Sequence, residues 1–119
     1  LLKIKRIYEE PSKEDGKRIL VDRLWPRGVS KEKANLDDWP KEIAPTNELR
    51  KAFHQGKIPF ETFTKAYLQE LAQNPQAENF RFHIEKALSA GNVTLLYGAK
   101  DPVHNQAAIL QVWLKNTNN

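Results

Sequence analysis

The chain has 119 residues, 39% of them apolar and 29% charged, with 19 lysines and arginines against 15 acids for a formal net charge of +4. That length suits one domain burying roughly two-thirds of the surface its unfolded chain would expose, and the composition excludes general disorder. With no cysteine, disulfides, thiolate metal sites and thiol nucleophiles are excluded together, which fits a reducing cytoplasm.

Leu2 to Tyr8 reads as a first strand. Pro11 to Gly16 follows as a single helical turn, with Ser12 as N-cap, Asp15 three residues on and Gly16 as the stop. Arg18 to Trp25 is a second, almost continuously apolar strand, which calls for cover on both faces and favours a parallel sheet; a hairpin with the first strand is the competing topology. Pro26 and Gly28 break that strand, and Ser30 caps a short helix to about Leu36. Lys41 to Ala44 reads as a brief edge strand, and Pro45-Thr46 opens a helix through Phe53 that His54 and Gly56 close. Pro59 starts a helix with an apolar stripe of Phe60, Phe63, Tyr67, Leu68 and Leu71. Asn74-Pro75 begins another, with Phe80, Ile84, Ala87 and Leu88 inward and Gly91 as terminator. Val93 to Tyr97 is the last strand. Asp101-Pro102 signals the start of a final helix with Val103, Ala107, Leu110 and Leu114 inward, and Thr117 to Asn119 should fray. The predicted fold is α/β, a small, mainly parallel sheet of three to four strands flanked by helices on both faces, in a single domain over residues 1–119.

Within the apolar second strand, Asp22 and Arg23 are charges that need partners, and because neighbouring strand residues face opposite ways each must reach elsewhere. Asp22 is expected to pair with Arg6 or Lys5. In a parallel sheet, ligands sit beyond the carboxyl ends of the strands, where helix N-termini also point. Arg23 and Arg27 after strand two, and Asp101, His104 and Asn105 after the last strand, are therefore expected to share one cleft, with Glu9 and Thr46 at its rim. Two arginines and a helix N-terminus suit an anion. Each residue also has a structural role open to it: Arg23 in a buried ion pair, for instance with Asp101; Arg27 exposed after a turn; Asp101 as an N-cap; His104 supporting its own helix start. Trp25 before Pro26 fits a packing lid better than a stacking platform. No pair of histidines has metal-ligand spacing, so no metal is expected, and no cofactor motif is present.

No apolar run approaches the roughly 20 residues needed to span a bilayer, and Leu1 to Ile7 is interrupted by bases, unlike a signal sequence. A cytoplasmic chain without membrane partners is expected. The lack of methionine, even at position 1, suggests that the natural start is missing or was removed. Positive charge favours anionic partners, but bases interleave with acids, as in Lys31-Glu32-Lys33, in the manner of a mixed solvated surface.

Ile4-Lys5-Arg6-Ile7-Tyr8 with Pro11-Ser12, Leu20-Val21-Asp22-Arg23-Leu24-Trp25-Pro26-Arg27-Gly28, Ala44-Pro45-Thr46-Asn47-Glu48-Leu49-Arg50, and Thr94 to Asp101 with His104-Asn105 resemble the YeaO-like family of the bacterial domain-of-unknown-function 488 group. The resemblance covers essentially the whole chain and implies a compact α/β cytoplasmic protein without an established activity. Longer members of the wider group tend to carry cysteines and a cysteine-histidine-arginine segment where this chain has Gly98 to Asn105, a departure that puts thiol chemistry out of reach. Some relatives bear transcription-regulator labels, yet no helix-turn-helix pairing is visible here.

Taken together, the sequence points to a polar cleft that binds, and in the fuller reading acts on, a small phosphorylated or carboxylated anion. Arg23, Arg27 and Asn105 would hold it while Asp101 and His104 handle protons. The alternatives are a nucleic-acid-binding module using dispersed lysines, or a protein-interaction domain whose buried ions only fix the fold. Oligomeric state is not readable from the sequence.

Overall fold

The computed structural model describes residues 1–116; the fraying expected of Thr117 to Asn119 lies outside the described residues. Three strands form its sheet: β1 (Leu2–Arg6), β2 (Lys17–Leu20) and β3 (Val93–Tyr97), in the order β1-β3-β2. Both outer strands pair with β3 in parallel, Leu2 and Lys17 each opposite Val93. The first two strands are thus parallel but never touch as a ladder, because β3 lies between them. Such a sheet is wet on neither face, and β3 is buried at all five positions.

Alternation divides the core in two. Leu2, Ile19, Val21, Val93, Leu95 and Tyr97 face one way, onto helices α3 (Phe60–Gln73), α4 (Ala77–Ala90) and α5 (Gln106–Lys115). Of the predicted α3 stripe, Phe63, Tyr67 and Leu71 meet Phe80 and Ile84 of α4 and Leu110 of α5 there, Phe60 packs at the edge of this core, and Leu68 is exposed. Leu20, Leu96 and Ile7 face the other way, under the single-turn helix α1 (Lys31–Ala34) and a loop carrying Trp25, Val29, Leu36 and Trp39. Helix α2 (Asn47–His54), capped by the Thr46 hydroxyl, lies beside α3. Among the described residues no helix is long and apolar enough to cross a membrane.

The polar side of the second face is organised by Asp15. It ends the 3-10 turn Lys13–Asp15, where it and Ser12 form the capping box expected from the sequence. Its carboxylate accepts from Arg18 Nη1 at 2.6 Å and from Lys5 Nζ at 3.1 Å, and its carbonyl accepts from the Thr94 hydroxyl at 2.8 Å. Arg18 also donates to the carbonyls of Ala34 and Asn35. Burial pushes the Asp15 carboxyl up, but the Ser12 N–H, Lys5 and Arg18 together overcome this and hold it below its ordinary value. Gly16 closes the turn at φ +63°, where an added Cβ would lie 2.0 Å from the Asn92 carbonyl oxygen, so only glycine fits.

Four expectations need correction. The second strand stops at Leu20: after the Val21 N–H bonds the Leu96 carbonyl, the chain leaves the ladder so that Asp22 can bond Gly98. Lys41 to Ala44 is a 3-10 turn over Lys41–Ile43 and not an edge strand; Pro40 has no N–H to give a ladder, and Asp37-Asp38 covers the β2 edge through an isolated bridge of Asp38 to Ile19. The last helix begins at Gln106 with Asn105 as its N-cap, because Asp101 caps a separate turn through the N–H groups of Val103 and His104. Asp22 pairs with neither Arg6 nor Lys5: Lys5 is held by Asp15, and Arg6 Nε donates to the Gly98 and Ala99 carbonyls.

Asp15→Asn removes the charge that answers Arg18 and should cost about 3–5 kcal/mol at neutral pH, read from urea denaturation. Since the folded carboxyl titrates below 3.8, the wild-type advantage is present above that pH and shrinks as pH falls through the folded value. The two stability curves should therefore converge in strong acid; curves that stay parallel there would contradict this account.

Candidate functional site

Beyond the carboxyl ends of the strands lies a hollow of about 310 Å³, lined by residues that include Asp22, Arg23, Trp25, Arg50, His54 and Gln106. Asp22 stands at the mouth of β2 and Gly98 follows β3 directly. The Gly98 N–H donates to Asp22 Oδ2 at 2.9 Å, and the Gln106 amide, in the first turn of α5, donates to Oδ1. A Cβ on residue 98 would come within 2.9 Å of that carboxylate oxygen, so glycine permits the close approach. Burial pushes the Asp22 carboxyl up to about 6, against the Gly98 N–H, the Gln106 amide and the charge of Arg50, which pull it down.

Arg23 points from the other side of its strand end, and its guanidinium donates to the Pro45 carbonyl at 2.8 Å and the Ala44 carbonyl at 3.1 Å. It therefore lines the hollow while pinning the loop that leads into α2. Arg50 and His54 reach the hollow from α2, spaced i, i+4 on one face. The Arg50 Nε is buried without a hydrogen-bond partner among the described residues. Lost hydration and the Arg50 charge hold the His54 imidazole below its ordinary value. Trp39 donates its indole N–H to the Asp22 carbonyl at 2.7 Å and meets Trp25 edge-on at 5.2 Å, while Trp25 donates to the Val29 carbonyl, so both indoles brace the strand end.

Of the residues expected to share one cleft, only Arg23 is among those lining this hollow. Arg27 is exposed, and its carbonyl accepts from the Tyr8 hydroxyl. Asp101 and His104 form a pair of their own on the surface, with Nδ1 and Oδ2 2.8 Å apart and the imidazole edge-on to Phe60 at 4.9 Å. The N–H groups of His104 and Val103, then the His104 ring, hold the Asp101 carboxyl down at about 2. Asn105 is buried, its amide nitrogen given to the Asp101 carbonyl and its oxygen to the Ala108 N–H. At the presumed rim, Glu9 accepts from the Arg6 N–H and Thr46 bonds Glu70. The sequence reading missed Arg50, His54 and Gln106. A glutamine just after a helix cap was the signal available for Gln106, whereas Arg50 and His54 stand four apart on the amphipathic α2 with no local mark of a site.

This arrangement defines a small α/β protein whose parallel strands end at a polar hollow holding one half-buried carboxyl and two guanidinium groups. Over residues 1–119 the chain matches the family model described as the inactive DUF488-N3 subclade, and it belongs to that family as a YeaO-like member. It is 46% identical over 115 residues to "Uncharacterized protein YeaO" of Escherichia coli (strain K12), covering 97% of each chain. It is 31% identical over 109 residues to "Uncharacterized protein Rv3073c" of Mycobacterium tuberculosis (strain ATCC 25618 / H37Rv), covering 92% of this chain and 89% of that one. No solved structure matches it.

A carboxyl that titrates near 6 in the fold and near 3.8 unfolded stabilises the protein only while neutral. The sign is fixed: this carboxyl's contribution to stability is fully present below 3.8 and is lost as pH rises through 6. Asp22→Asn, which mimics the neutral acid, should relieve about 2–3 kcal/mol of this penalty at neutral pH and above. Thermal melts should show the variant several degrees more stable than wild type in mild alkali and no better in acid.

Proposed function

We propose that the protein binds a small anionic metabolite in the hollow at the carboxyl ends of its strands, with Arg50 and Arg23 as the anion-holding groups. The observation that carries this reading is the Arg50 guanidinium, which lines the hollow while its buried Nε has no hydrogen-bond partner among the described residues. A buried donor without a partner costs roughly 1–3 kcal/mol, so the guanidinium gains by turning toward an acceptor that enters the hollow. Arginine also offers a forked set of donors matched to carboxylate and phosphate oxygens. Arg27 lies outside the lining and adds only exposed positive charge near the Trp25-Pro26 wall. Asn105 acts indirectly, by starting α5 and so placing Gln106 against Asp22. The description of the family as an inactive subclade favours holding over turnover. A cytoplasmic location accompanies this reading, in keeping with the absence of cysteine.

Because Asp22 faces the same space, a simple anion binds best when that carboxyl is neutral, below about 6. Phosphate should raise the melting temperature of the wild type above the effect of chloride at equal ionic strength, more so in mild acid than in mild alkali. Arg50→Gln should weaken this at least tenfold in affinity, about 1.4 kcal/mol. An undiminished phosphate response in that variant would move the anion away from the hollow.

A second reading rests on the Asp101–His104 pair. With Nδ1 bonded to Asp101, the Nε2 of His104 is left to take or give a proton, the arrangement a general base needs. On this reading the wild type hydrolyses a simple phosphomonoester such as p-nitrophenyl phosphate, and His104→Gln abolishes turnover while phosphate binding persists. Absence of wild-type turnover removes the catalytic part and leaves binding.

A further inference from the structure

The hollow holds charges of both signs that do not neutralise each other. The Asp22 carboxyl is bonded only to the uncharged Gly98 N–H and Gln106 amide and makes no ion pair among the described residues. Arg50 feels Asp22 through space, yet it makes no ion pair with it, and its Nε has no hydrogen-bond partner among the described residues. Separate scaffolds account for this: Asp22 is fixed by β3 and α5, whereas Arg50 rides on α2, whose cap Thr46 is tied to Glu70 of α3 at 2.7 Å. The other groups facing Asp22 bring no cation into contact with it. Arg23 is committed to the Ala44 and Pro45 carbonyls, His54 is held toward its neutral form, and Tyr67 gives its hydroxyl proton to the Ile43 carbonyl.

A simple anion answers only the guanidinium side of such a site. A molecule with an ammonium and a carboxylate on one carbon answers both. The remaining walls, Leu24, Trp25, Pro26, Pro45, Phe63 and Ala99, are apolar, and the volume, about 310 Å³, is at the small end of ligand sites.

We propose that the hollow takes the zwitterionic end of a free α-amino acid with an apolar side chain, its ammonium on Asp22 and its carboxylate on Arg50 and on the Nη1 that Arg23 keeps beside its two carbonyl bonds. This rests on the anion-site reading above and narrows it to a ligand class. Asp22 must be ionised for this ligand, so amino-acid affinity should rise with pH through the Asp22 titration, the reverse of the phosphate dependence.

Isothermal titration of the full chain with L-phenylalanine, L-leucine, N-acetyl-L-phenylalanine, phenethylamine and inorganic phosphate tests it. At least one of the two free amino acids should bind at least tenfold more tightly than both blocked analogues. Asp22→Asn should weaken that binding at least tenfold while leaving phosphate binding unchanged or stronger. Acetylated phenylalanine or phosphate binding at this site without preference for the free amino acids would overturn the zwitterion and keep the anion site. So would unaltered amino-acid binding by Asp22→Asn. No binding of any probe overturns both.

Discussion

One carboxylate ties the sheet together. Asp15 sits in the short connection between β1 and β2 and bonds all three strands: Lys5 of β1 and Arg18 of β2 through its side chain, and Thr94 of β3 through its carbonyl. A parallel sheet needs crossovers, and this one is made by a single 3-10 turn where a full helix is usual. So short a connection leaves little apolar surface to dock, and the ion cluster replaces that packing. Buried ion pairs contribute little net stability compared with apolar substitutes, but they penalise any arrangement that separates the partners. Here that penalty fixes register, and register brings the ends of β2 and β3 together, so that Asp22 falls beside Gly98.

The hollow follows from that alignment. Val21 makes the last rung, Asp22 turns inward to the Gly98 N–H, and the two tryptophans hold the exit path of the chain. Gly98 has no side chain to fill the contact, which lets a carboxylate approach where any other residue would push it away. The opposing wall is built independently by α2, so that Asp22 and Arg50 share a space without closing on one another.

Much of the architecture was legible because its periodicities are strong: the α3 stripe apart from Leu68, the apolar β3 and the Ser12–Asp15 capping box appear where the residues place them. The errors have two causes. Propensity and pattern were overridden by a partner far along the chain for Asp22, and by a neighbouring residue at Lys41 and at Asp101. The strand through Trp25 ends early because Asp22 finds Gly98, 76 residues away. Arg18 opens an almost continuously apolar run, and alternation with Leu20 puts it on a buried face that only the Asp15 turn makes tolerable. Asp101-Pro102 carries a strong helix-start signal, and it does cap a turn; the helix waits four residues because Asn105 supplies a second cap. Arg50 was hidden by the opposite effect, since nothing local distinguishes it from a solvated helix arginine.

The two polar segments differ in how their groups are used. From Gly98 to Asn105 nearly every polar side-chain atom with a partner turns inward on the segment itself: Asp101 receives the Val103 and His104 N–H groups and the His104 ring, and Asn105 bonds the Asp101 carbonyl and the Ala108 N–H. That wiring stiffens the start of α5 and holds Gln106 against Asp22. In the hollow, by contrast, the Arg50 Nε has no partner and Asp22 no counter-charge in contact with it among the described residues. Preorganised support next to uncommitted charge is the pattern of a site that recognises a ligand, because the cost of fixing the groups has been met in folding and is not repeated on binding.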